Sequence, residues 1–290
     1  MQKKLFCFGL GYSARNLIQR LKEQNSDWLF SGCCRTLPDK PIADVDTHIF
    51  DGKEPMASID NILSEVTHIL ISIAPQDDIG DPVLHLHHAA ILKLKNLKWL
   101  GYLSTTGVYG DRKGDWVDDE TVPAPTSSKG RTRWDAEQDW LQLYRTHQMP
   151  VHIFRLGSIY GPERGQLSNL KAGRLQKIIK QGQYFSRIHV EDISQILTAS
   201  MDRPNPGQSY NVVDDLPASS PDVIDYICDL LNRPPLPAID INDAAISPMM
   251  RIFYSENKRV RNDRIKQELG VTLKYPSYKE GFTALVRKSP

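Results

Sequence analysis

Gly9-Leu10-Gly11-Tyr12-Ser13-Ala14 stands between a short apolar run, residues 4–8, and the helically spaced apolar residues Ala14, Leu17, Ile18 and Leu21. A Gly-x-Gly-x-x-Ala placed between a strand and a helix restricts what the chain can build. Gly9 permits the tight turn. Gly11 lets the backbone approach a pyrophosphate, and Ala14 keeps the helix close to the strand. The helix that opens at Tyr12 and Ser13 directs N–H donors and partial positive charge at an anion. Read without that context, the glycines serve only a turn; within it, the pattern is specific for a dinucleotide.

The rest of the first half repeats the same alternation. Apolar runs at residues 28–34, 48–50, 68–74, 99–104 and 151–156 read as strands. Helical spacing appears at Ile59, Ile62 and Leu63, over 82–94 and over 134–144, and Asn25-Ser26-Asp27 interrupts the first helix. Near-continuous apolar strands alternating with helices predict a parallel sheet covered on both faces. The expected fold is α/β, a Rossmann doubly wound parallel sheet with a smaller, mainly helical C-terminal lobe. Residues 1–165, with sheet contributions from about 187–213, form the expected dinucleotide-binding domain, and 166–290 form mainly a substrate-side lobe.

In the second half, residues 189–201 read as a helix. Ser220-Pro221-Asp222 opens another, with a capping hydroxyl and a proline at its first position. Residues 236–248 carry little periodic signal and read as a loop. Residues 258–269 and 277–286 read as helical.

Charge and composition exclude other classes. Lys and Arg number 36 against 35 Asp and Glu, a net charge of +1, which gives no electrostatic case for nucleic acid or an anionic membrane. Apolar residues make up 40% and charged ones 24%, enough for a sizeable core. No apolar run approaches the roughly 20 residues that cross a bilayer. Four cysteines in 290 residues are no disulfide framework, and no Cys/His spacing suggests a metal site. Buried thiols in a reducing cytoplasm are the expectation.

The end of the second strand selects the cofactor. An NAD site places Asp or Glu roughly 20 residues beyond the glycines, but here the chain reads Cys33-Cys34-Arg35-Thr36. A carboxylate repels a 2′-phosphate, whereas Arg35 grips one and Thr36 donates to it. NADP is therefore expected over NAD, the alternative being a solvated Arg35. Asp51 either accepts the adenine amino group or serves an Asp-Gly turn. Ile73, Ala74 and Pro75 lie where small residues let a cofactor cross the sheet edge.

Four further segments resemble the extended short-chain dehydrogenases/reductases, the superfamily of sugar-nucleotide epimerases and dehydratases. They are Ser104-Thr105-Thr106-Gly107-Val108-Tyr109-Gly110, Arg155-Leu-Gly-Ser-Ile-Tyr-Gly-Pro162, His189-Val-Glu-Asp192 and Tyr210-Asn211-Val212. The resemblance implies a Rossmann domain with a C-terminal lobe over the active-site cleft. It implies cofactor contact at Ser104, a catalytic Ser/Thr at Thr105, and a nucleotide sugar as substrate. In that family a Tyr-x-x-x-Lys carries the proton chemistry. Here, with Ala136-Glu137 aligned, Lys129 takes the tyrosine position and Arg133 the lysine position. No tyrosine lies between Tyr109 and Tyr144. The chain thus resembles an atypical branch that keeps the glycine turn without the catalytic pair.

Two readings follow. In the first, the protein is an NADP-dependent oxidoreductase or epimerase-like enzyme. Lys129 and Arg133 share a helix face; Lys129, if partly buried beside a guanidinium, exchanges the proton, Arg133 holds the ribose and Thr105 orients the substrate. In the second, it is a non-catalytic NADP-binding sensor or scaffold, and both cations are solvated. Tyr109 reads as packing before it reads as a substitute acid. Arg155 is expected to anchor an acid, and His189 with Asp192 to tie a helix start to the sheet. The basic cluster 258–264 reads as a solvated or substrate-side helix. The expected partners are a small molecule and a second copy of the chain as a homodimer, with no nucleic acid, membrane or metal.

Overall fold

Lys3–Phe8 forms β1 because its last four side chains are all buried, which an edge or loop would not tolerate. In the computed structural model, which describes residues 2–24 and 27–288, it is an interior strand of a seven-stranded sheet. Asn25 and Ser26, two of the three residues expected to interrupt the first helix, lie outside the described residues.

The elements follow in chain order: β1, α1 (Tyr12–Gln24), β2 (Trp28–Cys34), β3 (Val45–Ile49), α2 (Ile59–Leu63), β4 (His68–Ile71), α3 (Pro82–Leu92), β5 (Trp99–Thr105), β6 (Trp116–Val117) and α4 (Ser128–His147). Next come β7 (Val151–Leu156), β8 (Ser158–Tyr160), α5 (Gln166–Lys171), β9 (Lys177–Ile179), β10 (Arg187–His189), α6 (Val190–Asp202) and β11 (Ser209–Val212). The last are α7 (Ser220–Leu230), β12 (Ala238–Asp240), α8 (Pro248–Phe253), β13 (Arg259–Val260), α9 (Asp263–Gln267) and α10 (Tyr278–Arg287).

The sheet runs β11-β7-β5-β4-β1-β2-β3. β1 pairs in parallel with β2 on one side, Phe8 opposite Cys33, and with β4 on the other, Phe8 opposite Ile71. The chain therefore winds outward through β2 and β3 and then returns to the far side of β1. That reversal opens a crevice beyond the carboxyl ends of β1 and β4, where doubly wound sheets hold ligands. The expected Rossmann sheet is the fold found.

Two compact units divide the chain: residues 1–105, 128–155 and 194–210, and residues 106–127, 156–193 and 211–290. The first has its core on the sheet, where Phe6, Phe8, Ile69, Ile71, Leu100, Tyr102, Trp140 and Ile153 are all buried. α1 turns Ala14, Leu17, Ile18 and Leu21 inward, as their spacing predicts. The second unit packs α5, α7 and α10 through Leu167, Val223, Ile227 and Phe282. It adds three two-stranded parallel ribbons, β8–β10, β9–β12 and β6–β13, so it is less purely helical than its periodicity suggests.

Tertiary pairing explains the other departures. Residues 258–269 were expected to be helical, but Arg259 and Val260 pair with Trp116 and Val117, and only Asp263–Gln267 is helix. Pairing across some 140 residues outweighs local propensity there. The 236–248 stretch holds β12, paired with β9, and buries Ile246. α7 is capped by Ser219, which accepts from the Asp222 N–H, rather than by Ser220. Asp192 accepts from the Lys274 and Tyr275 N–H groups, so it ties α6 to that segment rather than to the sheet. The four cysteines are free thiols, three buried and Cys34 half-buried.

Candidate functional site

The crevice beyond β1 and β4 is built from the backbone outward. Gly9 holds φ +99°, a value that side chains rarely adopt. A Cβ there would lie 2.6 Å from Ser72 Oγ and 3.1 Å from Ile73 Cγ1. The turn thus presses against the end of β4, and Ser72 reinforces it by donating to the Gly9 carbonyl at 2.7 Å. On the other side, the Leu10 N–H donates to the Cys33 carbonyl at 2.8 Å. The turn is clamped between β2 and β4.

Gly11 differs from Gly9. It is exposed, its φ is ordinary, and a Cβ built on it meets nothing within 4 Å. The constraint at Gly9 therefore comes from the fold, while the open space at Gly11 fits a ligand approaching the backbone. Ser13 and Ala14 are buried and Tyr12 half-buried in the first turn of α1, whose leading N–H groups have no intrahelical acceptor by construction. A diphosphate fits these residues.

Arg35 and Thr36 follow β2 and are exposed. Arg15 adds a cation that the pattern did not single out: exposed on α1, it donates from Nε to the Leu10 carbonyl at 2.8 Å. Its position in the helix gave no signal, because its direction depends on the turn. Asp51 is exposed after β3 and accepts the Lys53 N–H at 3.0 Å, the geometry of an Asx turn. Ile73, Ala74 and Pro75 follow β4, with Ile73 brought against Gly9.

Ser104 and Thr105 end β5. Ser104 is buried and donates to Glu137 Oε1 at 2.5 Å. Glu137, fully buried on α4, is gripped by Arg155 of β7 through Nε at 3.1 Å and Nη2 at 2.8 Å. Arg155 thus anchors an acid, as expected. A carboxylate at an inward helical position, with a strand arginine expected to need an acid, is the sequence signal for Glu137. Helix α4 is fastened to the ends of β5 and β7 by this buried pair.

Arg133, one turn before Glu137, donates to the Leu103 carbonyl at 2.8 Å and the Tyr102 hydroxyl at 3.2 Å. Its charge also faces Asp81. Burial pushes the Asp81 carboxyl up, against the pull of the Trp140 N–H, the Leu84 and Val83 amides and Arg133. Lys129, a further turn back, is exposed and makes no hydrogen bond or ion pair among the described residues. The partial burial on which a proton-transfer role draws is not present at Lys129. Tyr109 is buried, its hydroxyl 2.9 Å from the Asp118 carbonyl and 2.8 Å from Asn211 Oδ1, a packing arrangement. Arg187 is buried too, donating to the Phe185 and Ala218 carbonyls. Among the described residues no cluster of His, Cys, Asp or Glu could hold a metal ion.

A functionally unknown conserved protein from Silicibacter pomeroyi DSS has a structure matching this one with a TM-score of 0.88 and 49% identity over 98% of both chains. The chain belongs to the family of that protein. Its fold is shared with a nucleotide-sugar dehydratase and an epimerase of low sequence identity. dTDP-glucose 4,6-dehydratase from Bacillus anthracis in complex with NAD superposes with a TM-score of 0.77 over 99% of this chain and 96% of its own, at 17% identity. UDP-glucuronic acid 4-epimerase from Bacillus cereus in complex with NAD does so with 0.76 over 98% and 97%, at 15% identity. No family model and no curated protein matches the chain.

Proposed function

We propose that this family member binds NADP(H) in the crevice beyond β1 and β4 and acts as an oxidoreductase or an epimerase-like enzyme. The observation that carries the reading is the clamped glycine turn at the reversal of strand order, closed to any side chain at Gly9 and open at Gly11. The amides at Gly11, Tyr12, Ser13 and Ala14 hold the pyrophosphate. Arg35, Thr36 and Arg15 hold the 2′-phosphate, Asp51 the adenine side, and Ile73, Ala74 and Pro75 give the cofactor its path across the sheet edge. NAD in the Bacillus structures supports the cofactor class, and Arg35 in place of an acid supports NADP.

Bound NADP(H) supplies or accepts the hydride. Thr105, at the end of β5, orients a substrate carbonyl or hydroxyl. Lys129, exposed in the free chain, gives or takes the proton once a bound substrate covers it, and Arg133 holds the end of β5, with Ser104 fixed by Glu137. UDP-glucuronic acid in a further Bacillus cereus epimerase structure, 16% identical, supports a nucleotide sugar as substrate class. Free thiols fit a reducing cytoplasm, and no described helix is long and apolar enough to cross a membrane. A homodimer is the proposed assembly.

One observation favours the second reading. Arg133 commits its guanidinium to Leu103 and Tyr102 while Lys129 makes no bond among the described residues, which suits a cofactor-binding sensor or scaffold without proton chemistry. A panel of carbonyl and nucleotide-sugar substrates with NADPH separates the two. Turnover that Lys129→Ala reduces at least tenfold, with cofactor affinity unchanged, supports the enzyme. A silent panel with intact NADPH binding rejects it in favour of the scaffold.

A further inference from the structure

We propose that the outward face of the β6–β13 ribbon is a receptor for an oxyanion, the phosphate or carboxylate of a small molecule. The two strands pair in parallel, Arg259 opposite Trp116 and Val260 opposite Val117. Val117 and Val260 are buried, so the alternation of a strand turns Trp116, Arg259 and Arg261 to the other face. Trp116 is 42% exposed there.

Both guanidinium groups are oriented before any ligand arrives. The Arg261 and Arg259 guanidiniums lie 5.0 and 5.1 Å from the Trp116 ring centroid, and Arg259 is also 5.1 Å from that of Tyr184. Arg259 Nε donates to the Gly114 carbonyl at 2.7 Å. Cation–π contact with a ring leaves guanidinium N–H donors, in Arg259 those other than Nε, for an oxyanion.

These two charges are also uncompensated. Neither arginine forms an ion pair among the described residues, whereas the neighbouring Arg264 pairs with Glu120 and Glu268, and Lys258 with Glu256. Three of the nearby acids are engaged elsewhere. Asp118 accepts from Thr121, Asp119 from the Asn211 N–H, and Glu120 from Arg264. Asp115 meets Arg259 through its backbone carbonyl, which accepts the Arg259 N–H at 3.0 Å. Two preoriented guanidiniums beside an exposed indole are the donor set that a phosphate or carboxylate recognises.

The test titrates the full chain, at low salt, with pyrophosphate and separately with citrate, by calorimetry and tryptophan fluorescence. Binding of either is expected; compared in the Gly11→Val background, where the opening turn cannot take pyrophosphate, it is weakened about tenfold by Arg261→Gln or Arg259→Gln, the scale of one charge-assisted bond, and lost when both are changed. Arg261 is exposed, so its variant keeps the fold, which circular dichroism checks. Gly11→Val, which fills the opening turn in the other unit, should leave this binding in place. Binding of pyrophosphate alone assigns a phosphate ligand, and binding of citrate alone a carboxylate. Binding of neither, or binding that both arginine variants leave unchanged, overturns the proposal.

Discussion

Gly9 and Gly11 look equivalent in the sequence and are not equivalent in the fold. A side chain at Gly9 collides with Ser72 and Ile73 and meets an unfavourable φ, so Gly9→Ala should lower stability by about 1–2 kcal/mol and weaken NADPH together. At Gly11 the space is open, so Gly11→Ala should leave the unfolding midpoint in place while reducing NADPH affinity. Denaturant titration beside calorimetry reads both outcomes; an equal loss of stability in the two variants would contradict the assignment. The pattern made both glycines legible. What it could not supply was the neighbour: Ser72 lies some sixty residues away, and only the β1–β4 pairing brings it to the turn.

Among the elements, α4 owes its position to the Glu137–Arg155 pair. Both side chains are buried, and Glu137 also receives the Ser104 hydroxyl. Removing one member leaves the other charged and unpaired in the core. Glu137→Ala or Arg155→Ala should therefore cost about 3–5 kcal/mol in urea unfolding. A loss under 1 kcal/mol would show that water reaches the pair. The helix itself was only partly legible. Apolar spacing over 134–144 announced its middle, but its first turn, Ser128–Arg131, carries Gly130 and no inward apolar stripe. Likewise the β6–β13 ribbon is two residues deep in each strand, too short for any period to show. Long apolar strands and capped helices could be read from the chain; short pairings between distant segments could not, because their stabilisation lies in the partner.

At the scale of the whole molecule, buried histidines link stability to pH. Burial holds His68, His152 and His189 down at about 4, against 6.5 in the open chain. The unfolded state therefore binds their protons first as pH falls, so this stability is intact above 6.5 and drains away towards 4. Asp192, pushed up to about 6 by burial, acts in the opposite sense: the folded state takes its proton first, and stability returns as pH drops from about 6 towards 3.8. Single variants separate the contributions. His152 accepts the Asn205 N–H on Nε2, a bond that protonation breaks. His152→Gln should make the loss of stability between pH 7 and pH 5 smaller by about 2 kcal/mol, measured by urea unfolding at each pH. A pH profile parallel to that of the wild type would contradict it.

The opening turn as a seat for a pyridine dinucleotide, with Arg35 choosing among dinucleotides, is the centre of the proposed function. Isothermal calorimetry of the purified chain against NADPH and NADH tests it most directly. NADPH should bind at least tenfold more tightly than NADH, and Arg35→Glu should reverse that order. If neither nucleotide binds at millimolar concentration, the turn does not serve a dinucleotide; if Arg35→Glu leaves the ratio unchanged, Arg35 does not read the 2′-phosphate.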